Sequence, residues 1–240
     1  MYHQLAKYYD RIYARKDYAA EARRLSKIAR RRITGRRGCL LEVACGTGRH
    51  LAAFRRYFEV AGVDGSPEML AVARRRLGRS VPLIRGDMRT FRLPRRFDVV
   101  VCLFSAIGYM TTRGDRDKAL ANFYRHLAPG GVALVEGWVL PERWRKRNMH
   151  LDVYDGSDVK IARVSRSSRR GNLSEIEMQY LIAEPGKPLR HVIERHRQPL
   201  VSAPDMLRSF RKAGFRSSAI LSGPYTDRGL YIGVRPLNSR

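Results

Sequence analysis

Short apolar runs alternate with amphipathic segments between residues 17 and 135. The apolar runs have the length of buried strands and cover residues 39–43, 60–63, 81–84, 97–104 and 132–135. The amphipathic segments repeat apolar residues at helical spacing and cover residues 17–34, 49–58, 67–77 and 116–127. Strands that alternate with helices pair in parallel, so the pattern predicts an α/β fold with a Rossmann-like, doubly wound, mostly parallel sheet.

The pattern changes after residue 140. Apolar and polar residues alternate over 159–165, 173–182 and 191–200, and turn residues rather than helical segments separate these stretches. The alternation predicts an antiparallel patch added to the sheet. A helix and two further strands are then expected, over 204–213, 216–221 and 230–234.

We therefore divide the chain into three parts. The N-terminal helical segment 1–38 is expected to cover the active site, and the core comprises residues 39–139 and 201–240. The antiparallel insert 140–200 is expected on the substrate side. Its alternating strands offer an apolar face or a pairing edge, which motivates the hypothesis of a homodimer formed through the insert.

A glycine turn follows the first predicted strand, where residues 40–48 (LLEVACGTG) lead into a helix. Glycines at Gly46 and Gly48 let a ligand approach the backbone, because no Cβ stands in the way. A P-loop is excluded since no Gly-Lys-Ser/Thr follows, and residues 49–51 (RHL) occupy the place where a dinucleotide site needs a third glycine. The ligand at this turn therefore need not carry a phosphate. His50, just behind it, is expected on the helix surface.

Two acidic residues follow the next two predicted strands. Asp64 ends the second strand, and a carboxylate there can accept both hydrogen bonds of a ribose diol. Asp87 follows the third strand and can accept a hydrogen bond from an adenine amino group, while Met88 can lie on the ring. An aspartate in this position is by itself also typical of a turn cap. Asp87 is interpreted as an adenine ligand only because it follows the glycine turn and Asp64 in this order along the chain.

Residues 41–50 (LEVACGTGRH) resemble motif I of the class I methyltransferases, and Asp64 and Asp87 match the ribose and adenine acids of that family. The resemblance implies S-adenosylmethionine as the methyl donor and S-adenosylhomocysteine as the product. The residues that it implies for donor binding are Tyr18, Glu42, Ala44, Gly46, Gly48, Asp64, Gly65, Ser66, Asp87, Met88 and Phe104.

Segments along nearly the whole chain resemble one subgroup of this family, the N,N-dimethyltransferases that act on TDP-linked amino sugars in macrolide biosynthesis, such as those that make desosamine and mycaminose. These segments are residues 16–18, 86–88, 104–109, 127–131, 163–167, 171–172, 223–224 and 228–230. The resemblance implies that Tyr9, beside Asp10, and Tyr109 lie near the reacting amine, and that Arg228 lies near the sugar nucleotide. The alternatives to these roles are structural. The two tyrosines would then only pack against neighbouring parts of the fold, and Arg228 would be an ordinary solvated arginine.

The sequence departs from the subgroup at two sites. Residues 224–228 (PYTDR) stand where its members usually have a tighter Pro-Ser-Gly-Arg, and residues 136–138 (EGW) stand where they tend to have Glu-Pro-Trp. These departures leave the identity of the sugar and the number of methyl groups open.

The charge of the chain keeps further functions open. With 48 basic and 22 acidic residues, the net charge is +26. This charge is compatible with a nucleic-acid partner, an anionic small substrate or a genome that favours arginine codons.

The sequence favours an N-methyltransferase acting on a nucleotide-linked amino sugar. The alternatives are an RNA methyltransferase, a methyltransferase for another small amine or amino acid, and a non-catalytic protein that binds S-adenosylmethionine. Residues 104–107 (FSAI) lack the Asn/Asp-Pro-Pro-aromatic motif of enzymes that grip a flipped base.

Neither a membrane nor a metal is expected. No apolar run approaches the roughly 20 residues of a membrane span, and residues 1–10 lack the apolar stretch of a signal peptide. We therefore expect a cytoplasmic enzyme. The three cysteines, Cys39, Cys45 and Cys102, show no CxxC spacing, which favours neither a disulfide framework nor a zinc site.

Overall fold

The computed structural model describes residues 5–33, 38–145 and 148–237, and its strands form two sheets. The strands of the central sheet are β1 Cys39–Val43, β2 Glu59–Asp64, β3 Leu83–Arg85, β4 Phe97–Cys102, β5 Leu127–Glu136, β10 Arg216–Ile220 and β11 Leu230–Val234. The strands of the second sheet are β6 Asn148–Asp155, β7 Lys160–Arg170, β8 Leu173–Ala183 and β9 Arg190–Pro199.

The central sheet has the strand order β10-β11-β5-β4-β1-β2-β3. Strands β1 to β5 pair in parallel, whereas β11 pairs antiparallel with both β5 and β10. The predicted Rossmann-like, mostly parallel sheet is confirmed. The fourth strand ends at Cys102 rather than at residue 104, because the backbone turns into the left-handed region at Phe104 and Ser105.

Six α-helices accompany the sheets within the described ranges. They are α1 Tyr9–Ile12, α2 Tyr18–Arg30, α3 Arg49–Phe54, α4 Pro67–Leu77, α5 Arg113–His126 and α6 Ala203–Lys212. Side chains at the N-caps of the longer helices accept hydrogen bonds from free backbone N–H groups, as Ser66 does for α4. Helix α2 ends at Arg30, before the predicted residue 34, which lies outside the described residues.

None of these described helices is both long and apolar enough to cross a membrane. The cytoplasmic location and the division of the chain into three parts stay predictions.

The core lies on both faces of the central sheet. Val99 and Val101 of β4 point to one face, where they pack in a cluster with residues of α2, α3 and α4. Val100 and Cys102 point to the other face, which α5 and α6 cover. All four side chains are buried. A parallel strand that is covered on both faces is apolar at every position, which explains why these strands appear in the sequence as continuous apolar runs.

The antiparallel insert forms a sheet of its own instead of extending the central one. Strands β6, β7, β8 and β9 follow one another as an antiparallel meander, and sequence reasoning missed β6. The inner face of this sheet carries Ile161, Tyr180 and Ile182, which pack against Leu5 and Tyr8 of the N-terminal segment. The insert and the N-terminus therefore share a small core.

His50 of α3 is buried, at 6 % exposure, so its expected surface position is wrong. Its Nε2 lies 2.7 Å from Glu21 Oε2 of α2, and its Nδ1 lies 3.4 Å from Glu42 Oε1 of β1. Burial acts to lower the pKa of His50, but the bonds to Glu21 and Glu42 outweigh it and raise this pKa to about 9. The protonated imidazole thus joins α2 and α3 to the first strand.

We expect this network to make stability fall at alkaline pH. The pKa of His50 is about 9 in the folded protein and about 6.5 in the unfolded chain. Its stabilising contribution is therefore complete below pH 6.5 and is lost as the pH rises to 9. Urea unfolding should show wild type losing about 1–3 kcal/mol more than His50→Gln across this window. An equal loss in the two proteins contradicts the assignment.

Candidate active site

A cavity of about 370 Å³ opens at the carboxyl ends of β1, β2, β3 and β4. Ligands of open α/β sheets bind at this edge, outside the carboxyl ends of the strands. The volume falls within the roughly 300–1,000 Å³ of small-molecule sites. Its walls are formed by Tyr9, Val43, Ala44, Gly46, Asp64, Gly65, Ser66, Met69, Gly86, Asp87, Met88, Leu103, Phe104, Ala106, Tyr109 and Met110.

The glycine turn between β1 and α3 forms part of this wall. Gly46 has a φ of +55°, and a Cβ at this position would meet no atom within 4 Å. The backbone at Gly46 is therefore bare toward the cavity, and a ligand can contact it directly. Gly48 has a φ of +75°, and a Cβ there would lie 2.8 Å from Leu77 Cδ1. A side chain at this position would be strained by the backbone conformation, and Leu77 of α4 would have to move to make room for it.

The carboxylate of Asp64 holds this turn. Its Oδ2 accepts a hydrogen bond of 2.7 Å from the Gly46 N–H, and its Oδ1 accepts one of 2.8 Å from the Ser66 N–H. Burial raises the pKa of Asp64 above its ordinary value, and the backbone donors act in the opposite direction. A carboxylate offers about four lone-pair sites, so both oxygens can still accept from a ligand.

Left-handed backbone marks the ends of β1 and β4. Among the described residues, the non-glycine residues with positive φ are Ala44 at 59°, Phe104 at 52° and Ser105 at 59°. Such conformations are costly for side chains with a Cβ and persist where surrounding contacts hold them. The Phe104 N–H donates to Glu136 Oε2 over 2.7 Å, and Ser105 Oγ donates to the Gly137 carbonyl over 2.7 Å.

A second cavity of about 600 Å³ lies between the central sheet and the inner face of the second sheet. Phe104 and Tyr109 line both cavities, so the two meet at these side chains. Five arginines and two aspartates contribute to its walls, and this excess of positive charge suits an anionic ligand. The arginines are Arg143, Arg145, Arg163, Arg166 and Arg228, and the aspartates are Asp152 and Asp227. Arg163 pairs with Asp152, and Arg166 pairs with Glu177.

Arg228 is held in place by two groups at the end of β5. Its Nη1 lies 3.2 Å from Glu136 Oε1, and its guanidinium carbon lies 5.5 Å from the centre of the Trp138 ring. The carboxylate of Glu136 therefore connects Arg228 with the left-handed turn at Phe104. Sequence reasoning did not identify Glu136 as a site residue, because its role depends on contacts with residues that are distant along the chain.

The N-terminal helix α1 is fastened to the glycine turn through Asp10. Its Oδ1 accepts a hydrogen bond of 2.7 Å from Thr47 Oγ1, and its Oδ2 pairs with Arg76 Nη2 of α4 at 2.5 Å. These bonds place the neighbouring Tyr9 in the wall of the first cavity. Burial raises the pKa of Tyr9 well above the usual value of a phenol, so its hydroxyl stays protonated.

The structure brings most of the predicted site residues together. The predicted residues that line the first cavity are Tyr9, Ala44, Gly46, Asp64, Gly65, Ser66, Asp87, Met88, Phe104 and Tyr109. Tyr18, Glu42 and Gly48 are not in its wall, and Arg228 lines the second cavity. The additional wall residues are mostly apolar neighbours of the motifs, and they are Val43, Met69, Gly86, Leu103, Ala106 and Met110.

Two of the predicted donor-binding carboxylates have side-chain partners within the protein. Glu42 is 2 % exposed and faces His50, behind the glycine turn. Asp87 Oδ2 accepts a hydrogen bond of 2.6 Å from Arg89 Nη2. The bonds from Arg89 lower the pKa of Asp87, which keeps this carboxylate ionised at the cavity wall.

Residues 40–131 match a family model described as a methyltransferase domain. A dTDP-3-amino-3,4,6-trideoxy-alpha-D-glucopyranose N,N-dimethyltransferase from Streptomyces venezuelae is 42% identical over 220 residues, which cover 91% of this chain and 92% of the relative. The similarity thus extends through the insert to the C-terminal strands.

Two solved structures share the whole architecture. The sugar N-methyltransferase KedS8 from Streptoalloteichus sp ATCC 53650 is 37% identical with a TM-score of 0.87, covering 95% of this chain and 92% of KedS8. CalS10 from Micromonospora echinaspora, an amino pentose methyltransferase with SAM bound, is 35% identical with a TM-score of 0.81, covering 92% of both chains. The chain therefore belongs to the sugar N,N-dimethyltransferases of the class I fold and is an S-adenosylmethionine-dependent N-methyltransferase.

Proposed function

We propose that the protein methylates the amine of a TDP-linked amino sugar. The observation that carries this proposal is the meeting of two different cavities at Phe104 and Tyr109. The first cavity has the glycine turn and the acids of an adenosine site, whereas five arginines line the second. The relative from Streptomyces venezuelae acts on a dTDP-linked amino sugar, which supports the same class of acceptor.

The first cavity fits S-adenosylmethionine. Gly46 leaves its backbone open to a ligand, and Asp64 keeps lone pairs for the ribose hydroxyls. Asp87 and Met88 line the same wall and suit the adenine. When bound there, this donor supplies a methyl group on a positively charged sulfur, which is a good leaving group. The protein then has to align the acceptor amine with that methyl group.

The second cavity fits a nucleotide-linked acceptor. Guanidinium groups bind phosphate oxygens through paired hydrogen bonds, so its arginines suit a diphosphate. Arg228 is held toward this cavity by Glu136 and Trp138. The sugar amine then lies near Tyr9 and Tyr109, which can orient it by hydrogen bonds. An amine attacks only as the free base, and the protonated hydroxyl of Tyr9 adds no anion that would stabilise the ammonium form.

Incubation with S-adenosylmethionine and a panel of acceptors tests this function. The panel contains TDP-linked amino sugars with the amine at different positions, the same sugars without the nucleotide, glycine, and bulk tRNA. Mass spectrometry should show one or two added methyl groups on a TDP-linked sugar. The nucleotide-free sugars should react far more slowly, because they lack the diphosphate that the arginines bind.

Transfer to tRNA or glycine without transfer to any TDP-linked sugar contradicts the proposed acceptor. No transfer to any acceptor, together with intact binding of S-adenosylmethionine, would favour a non-catalytic binding protein instead.

The role of Asp64 predicts a specific loss of donor affinity. In Asp64→Asn, one backbone N–H loses its acceptor and the ribose loses a charged partner. We expect the Kd for S-adenosylhomocysteine, measured by calorimetry, to rise by about tenfold or more. Asp98→Asn is the matched control, because Asp98 Oδ2 likewise accepts a backbone N–H of β1, from Cys39 at 2.7 Å, at the opposite edge of the sheet. Equal losses in the two variants contradict a ligand role for Asp64.

We further infer that the outer face of the second sheet joins two copies of the chain. Its apolar side chains are between 43% and 71% exposed, and solvent-exposed apolar patches of this kind mark interaction sites. A twofold dimer buries the same patch on both copies. The residues of the patch are Met149, Leu151, Val153, Val164, Leu181 and Ile193.

Light scattering coupled to size exclusion should give the mass of a dimer for the wild type. Leu181→Glu places a charge in the patch, away from both cavities, and should give the mass of a monomer, because burying an unpaired carboxylate is costly. Leu221→Glu is the control, since Leu221 is 42% exposed and lies outside the second sheet. A monomeric wild type refutes the dimer.

A further inference from the structure

We propose that Gly137 is a positioning residue for the acceptor. Because it has no side chain, the main chain of residues 227–229 lies directly against the end of β5, and this contact sets the position from which Arg228 reaches the second cavity. The inference rests on the proposed function, because it concerns the place where the diphosphate of the acceptor is expected.

The pairing of β5 with β11 continues beyond the end of the sheet. The two strands pair up to the last residue of β5. After that, the Gly137 N–H donates to the Gly229 carbonyl over 3.0 Å. The Leu140 N–H donates to the Asp227 carbonyl over 2.8 Å. These two bonds hold the main chain on both sides of residue 228 beside the residues that follow β5.

This close approach is possible only at a residue without a Cβ. A Cβ added at Gly137 would lie 2.4 Å from the Arg228 carbonyl oxygen and 2.9 Å from Tyr231 Cε2. Real Cβ atoms essentially never come within 3.0 Å of such neighbours. The first contact is with a backbone atom, so rotation of a side chain cannot relieve it and the main chain at Arg228 would have to move. Gly137 therefore sets how closely this main chain lies to the end of β5.

The guanidinium of Arg228 is held by the two neighbours of Gly137. Glu136 Oε1 lies 3.2 Å from Arg228 Nη1, and the centre of the Trp138 ring lies 5.5 Å from the guanidinium carbon. The main chain and the side chain of Arg228 thus both take their position from three consecutive residues. Asp227 and Arg228 line the second cavity, so a shift of this main chain would move two charged groups of its wall together.

The position of Arg228 matters because a guanidinium recognises phosphate by direction as well as by charge. Its N–H groups form paired hydrogen bonds with phosphate oxygens, and such pairs require a fixed geometry. A misplacement of about 1 Å in a positioning group can cost on the order of a hundredfold in rate. Gly137 therefore contributes to the preference for a nucleotide-linked acceptor, although it lines neither of the two cavities.

The contact also joins the two segments in which the sequence departs from the amino-sugar subgroup, residues 136–138 and 224–228. Gly137 is the central residue of the first segment, and Arg228 is the last residue of the second. The structure makes the two segments a single feature of the acceptor site, since a change in one alters the space that is left for the other.

Calorimetric titration with TDP tests the inference without requiring methyl transfer. In Gly137→Ala, the Kd for TDP should rise by about tenfold or more, the effect of losing one hydrogen bond to a charged group. The Kd for S-adenosylhomocysteine should stay unchanged. Gly131→Ala is the matched control, because a Cβ at Gly131 would also crowd a backbone carbonyl, that of Ala128 at 2.9 Å, in the first half of β5 and away from both cavities. It should leave the Kd for TDP unchanged.

A double-mutant cycle separates positioning from general damage. If Gly137 acts through Arg228, Gly137→Ala should have little further effect on TDP binding in an Arg228→Ala background. Additive effects of the two substitutions, equal losses in Gly137→Ala and Gly131→Ala, or an unchanged Kd for TDP in Gly137→Ala overturn the inference. A wild type that does not bind TDP contradicts the proposed function instead, so the two failures are distinguishable.

A crystal structure of the wild type with TDP provides a test that does not depend on a variant folding. The Arg228 guanidinium should contact the diphosphate while the Arg228 carbonyl oxygen still lies against Gly137. A main chain that leaves Gly137 when TDP binds, or a diphosphate bound away from Arg228, overturns the inference.

Discussion

The carboxylate of Asp64 is the group on which the donor side of the site depends. It sits at the end of β2 and accepts from the Gly46 N–H in the turn after β1 and from the Ser66 N–H at the start of α4. One side chain thus orders two loops that arise from neighbouring parallel strands. The same carboxylate faces the cavity wall, so the group that shapes the pocket also remains able to bind a ligand there.

The acceptor side is built differently, from contacts between distant parts of the chain. Glu136 at the end of β5 holds both the Phe104 N–H and Arg228. His196 reaches Tyr109 from the second sheet. Asp10 fastens the N-terminal helix to the glycine turn. These contacts place the aromatic side chains between two cavities of different character. A shared fold can keep the donor pocket while variation in the insert changes the acceptor.

Local sequence patterns predict the donor side well. The first strand has the predicted bounds, Cys39–Val43, and Ser66 caps α4 as its position before Pro67 suggests. Asp64 and Gly46 are recognisable because their spacing follows directly from the strand-turn-helix geometry. Roles for Tyr9, Tyr109 and Arg228 came only from the family resemblance, and the structure places them at the two cavities.

Features that arise from tertiary packing could not be predicted in this way. His50 has an ordinary helical position, and only the approach of Glu21 and Glu42 explains its burial. The alternation of apolar and polar residues in β6 is the pattern of a strand, but it does not show that the apolar side chains Met149, Leu151 and Val153 face outward. Glu136 and Gly137 gain their roles from residues that are many positions away. Periodicity carries no information about such pairs.

The most direct test is a crystal structure of the protein with S-adenosylhomocysteine and a TDP-linked amino sugar bound. We predict the adenosine against Asp64 and Asp87, the diphosphate among the arginines of the second cavity, and the sugar amine within hydrogen-bond distance of the Tyr109 oxygen. A nucleotide bound outside the second cavity, or an amine remote from the place where the two cavities meet, contradicts the account.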